Sequence, residues 1–307
     1  MTNLSYLFNV KYYESLPYSN FKGINDVLFS QQYKPAKPAQ SGDRLSSLSL
    51  RVADYPGLLI GLGYPHDAGG VTDDKDEVTL GISLDYVTGL PYIPGSTVKG
   101  VLRSAFKHHS EYVFEDAMPD SLKSSVGGAD KLWNNLGIPL FGDEKNPGSA
   151  VFFDAFPVET GGKQGGRLLG RENITPHVNR NKPELSGLTE PNPLTLMKVL
   201  GGTVFCFKFD LGGLAEKANA EDLLAVFENI FCDLGIGAKT NVGFGGLENC
   251  ECSATAPLTY TSKKDDVAET CEYPGCTAKK PTKPGGGFHQ YCQQHHQVMQ
   301  KKGGIRP

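Results

Sequence analysis

Short apolar runs along the chain predict several β-strands. Residues 48–64 carry two such runs around the Pro56-Gly57 turn and are predicted as a strand, a turn and a second strand. Residues 149–158 and 197–211 have the same strand-like character, and a pair of glycines divides the second of these segments. The strands are therefore spread over most of the chain rather than gathered at one end.

Two segments have apolar residues at helical spacing instead. Residues 98–106 follow this pattern, and Ser96 or Thr97 is expected to cap the helix. Residues 220–234 follow it as well, with Asn219 as the expected cap and a glycine directly after the last turn. These segments are predicted as the two main helices.

The order of these elements predicts the fold class. Strand, helix, strand and then strand, helix, strand suits an α+β fold with a split βαβ (ferredoxin-like, RRM-like) sheet better than a doubly wound sheet. Long polar insertions, such as residues 161–191, interrupt it. We expect an N-terminal arm and flexible loop at 1–47, one domain at 48–257, and a linker and small C-terminal module at 258–307.

Composition limits the classes of function. The 307 residues include 30 Lys and Arg against 34 Asp and Glu, which gives a net charge of -4. Any nucleic-acid site must therefore be a local patch rather than a generally basic surface. The chain has seven cysteines, no recognisable secretory signal and no apolar stretch long enough for a membrane span, so we expect a cytoplasmic protein.

The first segment with candidate chemistry follows the second helix. Residues 235–246 contain five glycines in twelve positions, together with Lys239, Thr240 and Asn241. Glycines such as Gly237 let a backbone approach a phosphate closely, and the lysine adds a positive charge. A nucleotide-binding P-loop is a poor match, because this loop follows a helix. The simpler alternative is a helix end that continues into a glycine-rich turn.

A turn and a helix start form the second candidate segment, LDYVTGLPYIPGSTVKGVLRSAF, from residue 84 to 106. Free N–H groups at the helix start, together with Ser96 and Thr97, would form an anion site. Lys99 and Arg103 are four residues apart and would lie on one face of the helix. This arrangement suits a phosphate backbone, and the alternative is an ordinary amphipathic helix with solvated cations.

Together the two segments resemble the RAMP superfamily of CRISPR effector subunits. Between them, NITPHVN and PNPLTLMKVLGGTVFCFKFDL resemble the middle of the sixth RAMP subunit of type III-B (Cmr) complexes. The resemblance covers residues 48–247. It implies an RRM-like core that binds guide RNA by its backbone, near the guide's 3′ end, and leaves sequence recognition to base pairing.

The resemblance also implies partners and contact residues. The partners would be the CRISPR guide RNA, the target RNA, other RAMP backbone subunits and the small helical subunit of an antiviral complex. The implied RNA contacts in the two segments are Ser96, Thr97, Lys99, Arg103, Gly237, Lys239, Thr240 and Asn241. Three residues from the long polar insertion, Arg171, His177 and Arg180, extend this set.

An acidic loop at residues 66–77 raises the question of catalysis, because sibling subunits cut target RNA with a loop aspartate. The clustered carboxylates lie among glycines, and a solvated loop is the commoner outcome for such a segment. His177 is assigned to binding or loop ordering rather than to proton transfer. We therefore predict a non-catalytic protein. The alternative is a RAMP-type endoribonuclease that processes guide RNA or cleaves target RNA.

The C-terminal tail has the spacing of a small zinc site. Cys271 and Cys276 form one ligand pair, and Cys292 and His295 form a second after fifteen residues, with His296 as a competing fourth ligand. A tetrahedral metal would stabilise a segment too short to form its own core. The alternative is a flexible tail with free cysteines.

Overall fold

The computed structural model describes the greater part of the chain, and it divides the chain into two compact units, 1–261 and 262–307. The second unit lies outside the described residues. Those residues are 3–14, 21–35, 45–61, 77–174, 194–214, 218–250 and 258–261.

Helices and strands occur in comparable numbers, which confirms the expected α+β class. The α-helices are α1 Leu4–Asn9, α2 Phe21–Ser30, α3 Gly95–His108, α4 Ser110–Tyr112, α5 Asp120–Val126, α6 Ile138–Phe141 and α7 Ala220–Leu234. The strands are β1 Gln32–Pro35, β2 Ser46–Val52, β3 Val78–Leu80, β4 Val151–Phe152, β5 Phe156–Glu159, β6 Leu169–Ile174, β7 Leu194–Val199, β8 Val204–Asp210, β9 Leu247–Asn249 and β10 Leu258–Thr261. Helical segments of the 3-10 or π type are Lys11–Tyr13, Val113–Ala117, Trp133–Gly137, Gly162–Gln164 and Thr240–Val242.

The main sheet has five strands in the order β4-β8-β2-β9, with β5 also paired to β8. All of these pairings are antiparallel. The helix α3 lies between β2 and β4 in the chain, and α7 lies between β8 and β9. This is the strand order of a split βαβ fold, as the sequence pattern predicted.

Two helices bury their apolar faces against this sheet. On α7, Phe231 stacks on Phe207 of β8 with ring centroids 5.0 Å apart, and Phe227 lies 5.2 Å from Phe209. All four rings are fully buried, so each contributes about 1.5–3 kcal/mol of hydrophobic stabilisation. The predicted cap of α7 is confirmed, because Asn219 accepts a hydrogen bond from the N–H of Glu221.

Some strands form where the sequence composition predicted loops. β6 lies within the insertion at 161–191 and pairs antiparallel with β7, which also pairs parallel with β3. β1 lies within residues 31–47 and pairs with β10. The expected domain boundary at 47/48 falls within β2 and the one at 257/258 falls directly before β10, whereas the first compact unit includes β1, β2 and β10. Backbone pairing across a long sequence separation explains these differences, since local composition carries no signal for it.

None of the helices in the described ranges is both long and apolar enough to cross a membrane.

Candidate nucleic-acid interface

The glycine-rich loop after α7 is bonded to the chain segment that follows β2. The N–H of Ala238 donates to the carbonyl of Leu59 at 2.9 Å, and the N–H of Gly245 donates to Gly57 at 2.8 Å. The loop also closes on itself, because the N–H of Ile236 donates to Gly245 at 2.9 Å. These bonds fix both ends of the loop on the segment that follows β2.

Two of the glycines are required by this packing. A Cβ atom on Gly237 would lie 2.3 Å from the carbonyl oxygen of Leu59, and its φ of +96° disfavours any L side chain. A Cβ atom on Gly245 would lie 1.9 Å from the carbonyl oxygen of Ile236. The alternative of a glycine-rich turn therefore explains these positions. A phosphate contact at Gly237 remains a prediction.

The tip of the loop, residues 239–243, is exposed to solvent. Lys239 has a left-handed backbone at φ 59°, and its carbonyl accepts from the N–H groups of Val242 and Phe244 at 3.1 and 3.3 Å. Within the described part of the chain, no hydrogen bond uses the N–H groups of Lys239, Thr240 or Asn241. The tip thus combines three available N–H donors with an exposed lysine, hydroxyl and amide.

The start of α3 differs from the prediction. The helix begins at Gly95, and neither Ser96 nor Thr97 makes a side-chain capping bond. Instead, the N–H of Gly95 donates to the carboxylate of Asp154 at 2.7 Å. The prediction of a serine or threonine cap is therefore wrong. A carboxylate from the connection between β4 and β5 already lies at this helix start, where the helix dipole favours negative charge.

Close packing explains why Asp154 can reach the helix. A Cβ atom on Gly95 would lie 2.2 Å from the carbonyl oxygen of Phe152, so only glycine allows α3 to begin beside β4. The N–H groups of Thr97 and Val98 donate to Pro94 at 2.8 and 3.0 Å. The N–H groups expected to bind an anion at the helix start are thus largely bonded to acceptors within the protein.

The predicted basic face of α3 is present. Val98, Leu102 and Phe106 face the core, while Lys99 is half-buried and Arg103 is exposed. The two cations lie one helical turn apart, as expected from their spacing.

Trp133 was missed by the sequence analysis. The guanidinium carbon of Arg103 lies 5.8 Å from the Trp133 ring centroid, and the Nζ of Lys107 lies 6.0 Å from it. Both distances are typical of cation–π contacts. Trp133 is the single tryptophan in the chain, which was the available signal, but its sequence position gave no reason to place it beside α3.

Asp143 is a neighbouring carboxylate whose pKa is lowered by backbone hydrogen bonds and, to a smaller extent, by the positive charge of Arg103. Asp143 accepts hydrogen bonds from the N–H groups of Lys145 and Asn146 at 2.9 and 2.6 Å. These bonds, with a smaller contribution from the Arg103 charge, lower the pKa of Asp143. The basic face of α3 is therefore bordered by an ionised aspartate rather than being uniformly positive.

Backbone bonds connect the glycine-rich loop to the segment before α3. The N–H of Ala238 donates to the carbonyl of Leu59. The carbonyl of Ile60, the residue after Leu59, accepts from the N–H of Ser83 at 3.3 Å. The N–H of Tyr92 then donates to Ser83 at 3.2 Å, two residues before the cap of α3. The two sequence-predicted segments are thus linked through two short intervening stretches of chain.

The other predicted site residues lie either on the three-stranded sheet or outside the described residues. Arg171 lies on β6 in the three-stranded sheet, opposite Met197 of β7. Several predicted sites lie outside the described residues: His177, Arg180, the acidic residues at 66–76 and the zinc ligands Cys271, Cys276, Cys292 and His295. Among the residues with described structure, no group of three or more His, Cys, Asp or Glu side chains could hold a metal.

Known proteins similar to this chain include two curated relatives. The Cmr6 subunit of the CRISPR system of Saccharolobus solfataricus is 28% identical over 173 residues, which is 55% of this chain and 48% of that protein. The Cmr6 subunit of Pyrococcus furiosus is 24% identical over 234 residues, or 62% of this chain and 64% of that protein. The chain thus spans about half to two thirds of the length of these relatives.

Solved structures that match this chain include a type III-B Cmr-beta complex bound to cognate target RNA. One of its chains matches with a TM-score of 0.45 and 22% identity, covering 78% of this chain and 65% of that chain. The crystal structure of Cmr6 from Pyrococcus furiosus matches with a TM-score of 0.38 and 22% identity, covering 67% of this chain and 98% of that chain.

The family match covers nearly the same residues as the resemblance found in the sequence. The RAMP superfamily matches residues 53–248, against the expected 48–247. Both curated relatives are the sixth Cmr subunit, so the resemblance is confirmed at this level as well. Since the match extends over more than half of the sequence, the chain belongs to the RAMP superfamily.

Proposed function

We propose that this chain is a non-catalytic subunit of a type III-B CRISPR effector complex that binds guide RNA by its ribose-phosphate backbone. The observation that carries the proposal is the exposed tip at 239–243, with its three available N–H groups and one lysine. Membership of the RAMP superfamily and the identity of the curated relatives support it.

The tip has the chemistry of a phosphate contact. Backbone N–H groups donate to phosphate oxygens, and the ammonium of Lys239 adds a charge-assisted bond. The hydroxyl of Thr240 and the amide of Asn241 can bond further phosphate or ribose oxygens. Contacts of this kind do not distinguish bases, which suits a protein whose guide is read by base pairing.

The basic face of α3 provides a second contact in this proposal. Because Asp154 already bonds the N–H of Gly95, we assign the contact to the side chains of Lys99 and Arg103 rather than to the helix start. Ser96 and Thr97 are left with hydroxyl groups free of capping bonds and are secondary contacts. The strand would pass from the glycine-rich loop toward this helix.

The proposal includes the wider assembly. The partners are the guide RNA and target RNA, the other RAMP backbone subunits and the small helical subunit, with this chain near the guide's 3′ end. A complex of this kind acts in the cytoplasm. Arg171, His177 and Arg180 are additional RNA contacts in this scheme.

Copurification tests the proposal. The wild-type chain, co-expressed with the other subunits of its complex, is expected to retain guide RNA and those subunits. The Lys239→Ala protein and the Lys99→Ala, Arg103→Ala protein should lose RNA. Lys11→Ala is a matched control, because Lys11 is a solvent-facing cation of the N-terminal segment that pairs with Glu14. Equal RNA recovery from all four proteins would contradict the proposal.

Catalysis is tested with the same preparations. The purified chain should leave guide and target RNA intact, with or without divalent metal. Multiple-turnover cleavage by the chain alone would favour the endoribonuclease alternative.

A structural zinc ion in the tail is a separate part of the proposal. Three thiolates and one imidazole, from Cys271, Cys276, Cys292 and His295, are the donors that tetrahedral zinc prefers. Elemental analysis should find one zinc per chain, lost in a Cys271→Ser protein and kept in a Cys250→Ser protein. Cys250 lies in the main unit, where its thiol bonds the carbonyl of Ser49. A zinc content unaffected by Cys271→Ser would contradict this assignment.

A further inference from the structure

Tyr55 is a large aromatic residue whose side chain is mostly exposed to solvent. It lies in the turn directly after β2 and is 83% exposed. Burial of an aromatic ring is one of the larger stabilising contributions available to a fold. A tyrosine that gains so little burial contributes little to folding, so its position calls for another explanation.

The backbone on either side of Tyr55 is held firmly by two other turns. On one side, the N–H of Ala53 donates to Gly246 of the glycine-rich loop at 2.9 Å. On the same side, Gly201 packs so closely that a Cβ atom there would lie 2.2 Å from the carbonyl oxygen of Asp54. On the other side, the N–H of Leu58 donates to the carbonyl of Val199 at 3.0 Å. The ring is therefore presented on a preorganised backbone, and binding to it would require little ordering of the chain.

The turn that carries Tyr55 is also in contact with the proposed RNA-binding tip. Gly245 bonds to Gly57, and a Cβ atom on Gly243 would lie 3.6 Å from the Cδ of Pro56. Gly243 is the last residue of the exposed tip. The turn that carries the aromatic ring and the exposed tip are thus neighbouring parts of one surface.

One lysine lies close to the ring, and a second lysine bonds the residue before Tyr55. The Nζ of Lys198 is 5.7 Å from the Tyr55 ring centroid and bonds Glu172 at 2.7 Å, with its side chain only 13% exposed. Lys163 bonds Asp54 at 2.8 Å, and this bond lowers the pKa of Asp54. The carboxylates of Asp54 and Glu172 are therefore each paired with a lysine, which reduces the repulsion that an approaching phosphate would meet.

We propose that Tyr55 stacks on a nucleobase of the RNA strand whose phosphates the 239–243 tip binds. The inference rests on the proposed function. An exposed ring beside a phosphate-binding loop is the arrangement by which proteins hold single-stranded RNA without reading its sequence, because every base has a flat π-face. The ring fixes the position of one base, while the tip fixes the strand.

The test compares two strands that differ only in their bases. Binding of the full chain to labelled oligoadenylate, and to an abasic ribose-phosphate strand of the same length, is measured by fluorescence anisotropy. Tyr55→Ala should weaken binding to oligoadenylate by about 5- to 100-fold and leave the abasic strand unaffected. Tyr55→Trp should keep the wild-type affinity, since a larger ring still stacks.

Two further variants separate stacking from other effects. Lys239→Ala should weaken binding to both strands by the same factor, because it removes a phosphate contact. Tyr6→Ala should change neither affinity. Tyr6 is a matched control because it is a half-exposed tyrosine under a lysine, with the Nζ of Lys11 5.8 Å from its ring, but it lies on α1.

Each other outcome has a distinct meaning. Wild-type affinity of Tyr55→Ala for oligoadenylate would overturn the stacking proposal and leave the proposed function standing. An equal loss for both strands would assign Tyr55 to the structure of the loop and overturn stacking as well. If Tyr55→Ala kept its affinity for RNA but lost its copurifying subunits, stacking would be overturned and the ring would be assigned to a contact with another protein. If the wild-type chain bound neither strand, the proposed function would fail together with this inference.

Discussion

The substitution Gly237→Ala tests whether the glycine-rich loop is shaped by its own packing. Gly237 has a φ of +96°, and a Cβ atom added there would lie 2.3 Å from the Leu59 carbonyl oxygen and 2.9 Å from the Leu58 Cδ1. An L residue with a left-handed backbone costs about 1–2 kcal/mol, and forced overpacking costs about 1–3 kcal/mol more. We therefore expect Gly237→Ala to lower the free energy of unfolding by about 2–5 kcal/mol.

Urea unfolding followed by circular dichroism measures this change, and Gly100→Ala is the matched control. Gly100 lies within α3, and a Cβ atom added there would have no other atom within 4 Å outside its own helix backbone and chain neighbours. Alanine there should raise stability by about 0.5–1 kcal/mol, because glycine is a poor helix former. If Gly237→Ala unfolded at the wild-type urea concentration, the packing explanation for the loop glycine would be refuted.

Three further predictions concern buried bonds and pH. The Tyr12 hydroxyl accepts from the N–H of Val78 at 2.7 Å, so Tyr12→Phe should cost about 1 kcal/mol in urea unfolding, and an unchanged midpoint would contradict this role. Burial raises the pKa of Tyr12 from 10.0 to about 12, so its contribution to stability is full below pH 10.0 and is lost as the pH rises toward about 12. Wild-type stability should therefore fall more steeply across that range than Tyr12→Phe stability, and parallel curves would argue against it. Asp154→Ala removes the carboxylate that bonds the N–H of Gly95 and should lower the unfolding free energy by about 0.5–2 kcal/mol, whereas Asp154→Asn should retain most of it.

Local patterns in the sequence predicted the main sheet and both of its helices. α7 has apolar residues on one face and an asparagine cap, and β8 has an apolar run bounded by a glycine pair. Such features depend on residues close in sequence, so they can be read without the structure. The split βαβ strand order followed from their succession along the chain.

Other elements depend on partners far away in the sequence. β1 pairs with β10, where Tyr33 lies opposite Tyr260, although both short segments are followed by polar stretches of sequence that were predicted as loop or linker. The N–H of Gly95 is bonded by Asp154 rather than by a neighbouring hydroxyl. Tertiary contacts supply these partners, and no local rule identifies them in advance.

The candidate site was predictable to a similar extent. Lys239, Thr240 and Asn241 stood out because small polar residues and glycines were adjacent in sequence, and the structure places them on an exposed tip. Tyr55 and Trp133 gave no such signal, because the significance of each ring depends on the cations and turns that the fold brings to it.

The salt dependence of RNA binding tests the central claim most directly. Each phosphate contact to a single strand contributes about 0.7 to the slope of log affinity against log salt concentration. Lys239→Ala is expected to reduce the magnitude of this slope by about 0.7 relative to the wild-type chain, whereas Lys11→Ala should leave it unchanged. An identical slope for wild-type and Lys239→Ala proteins would contradict the assignment of the 239–243 tip as a phosphate-binding surface.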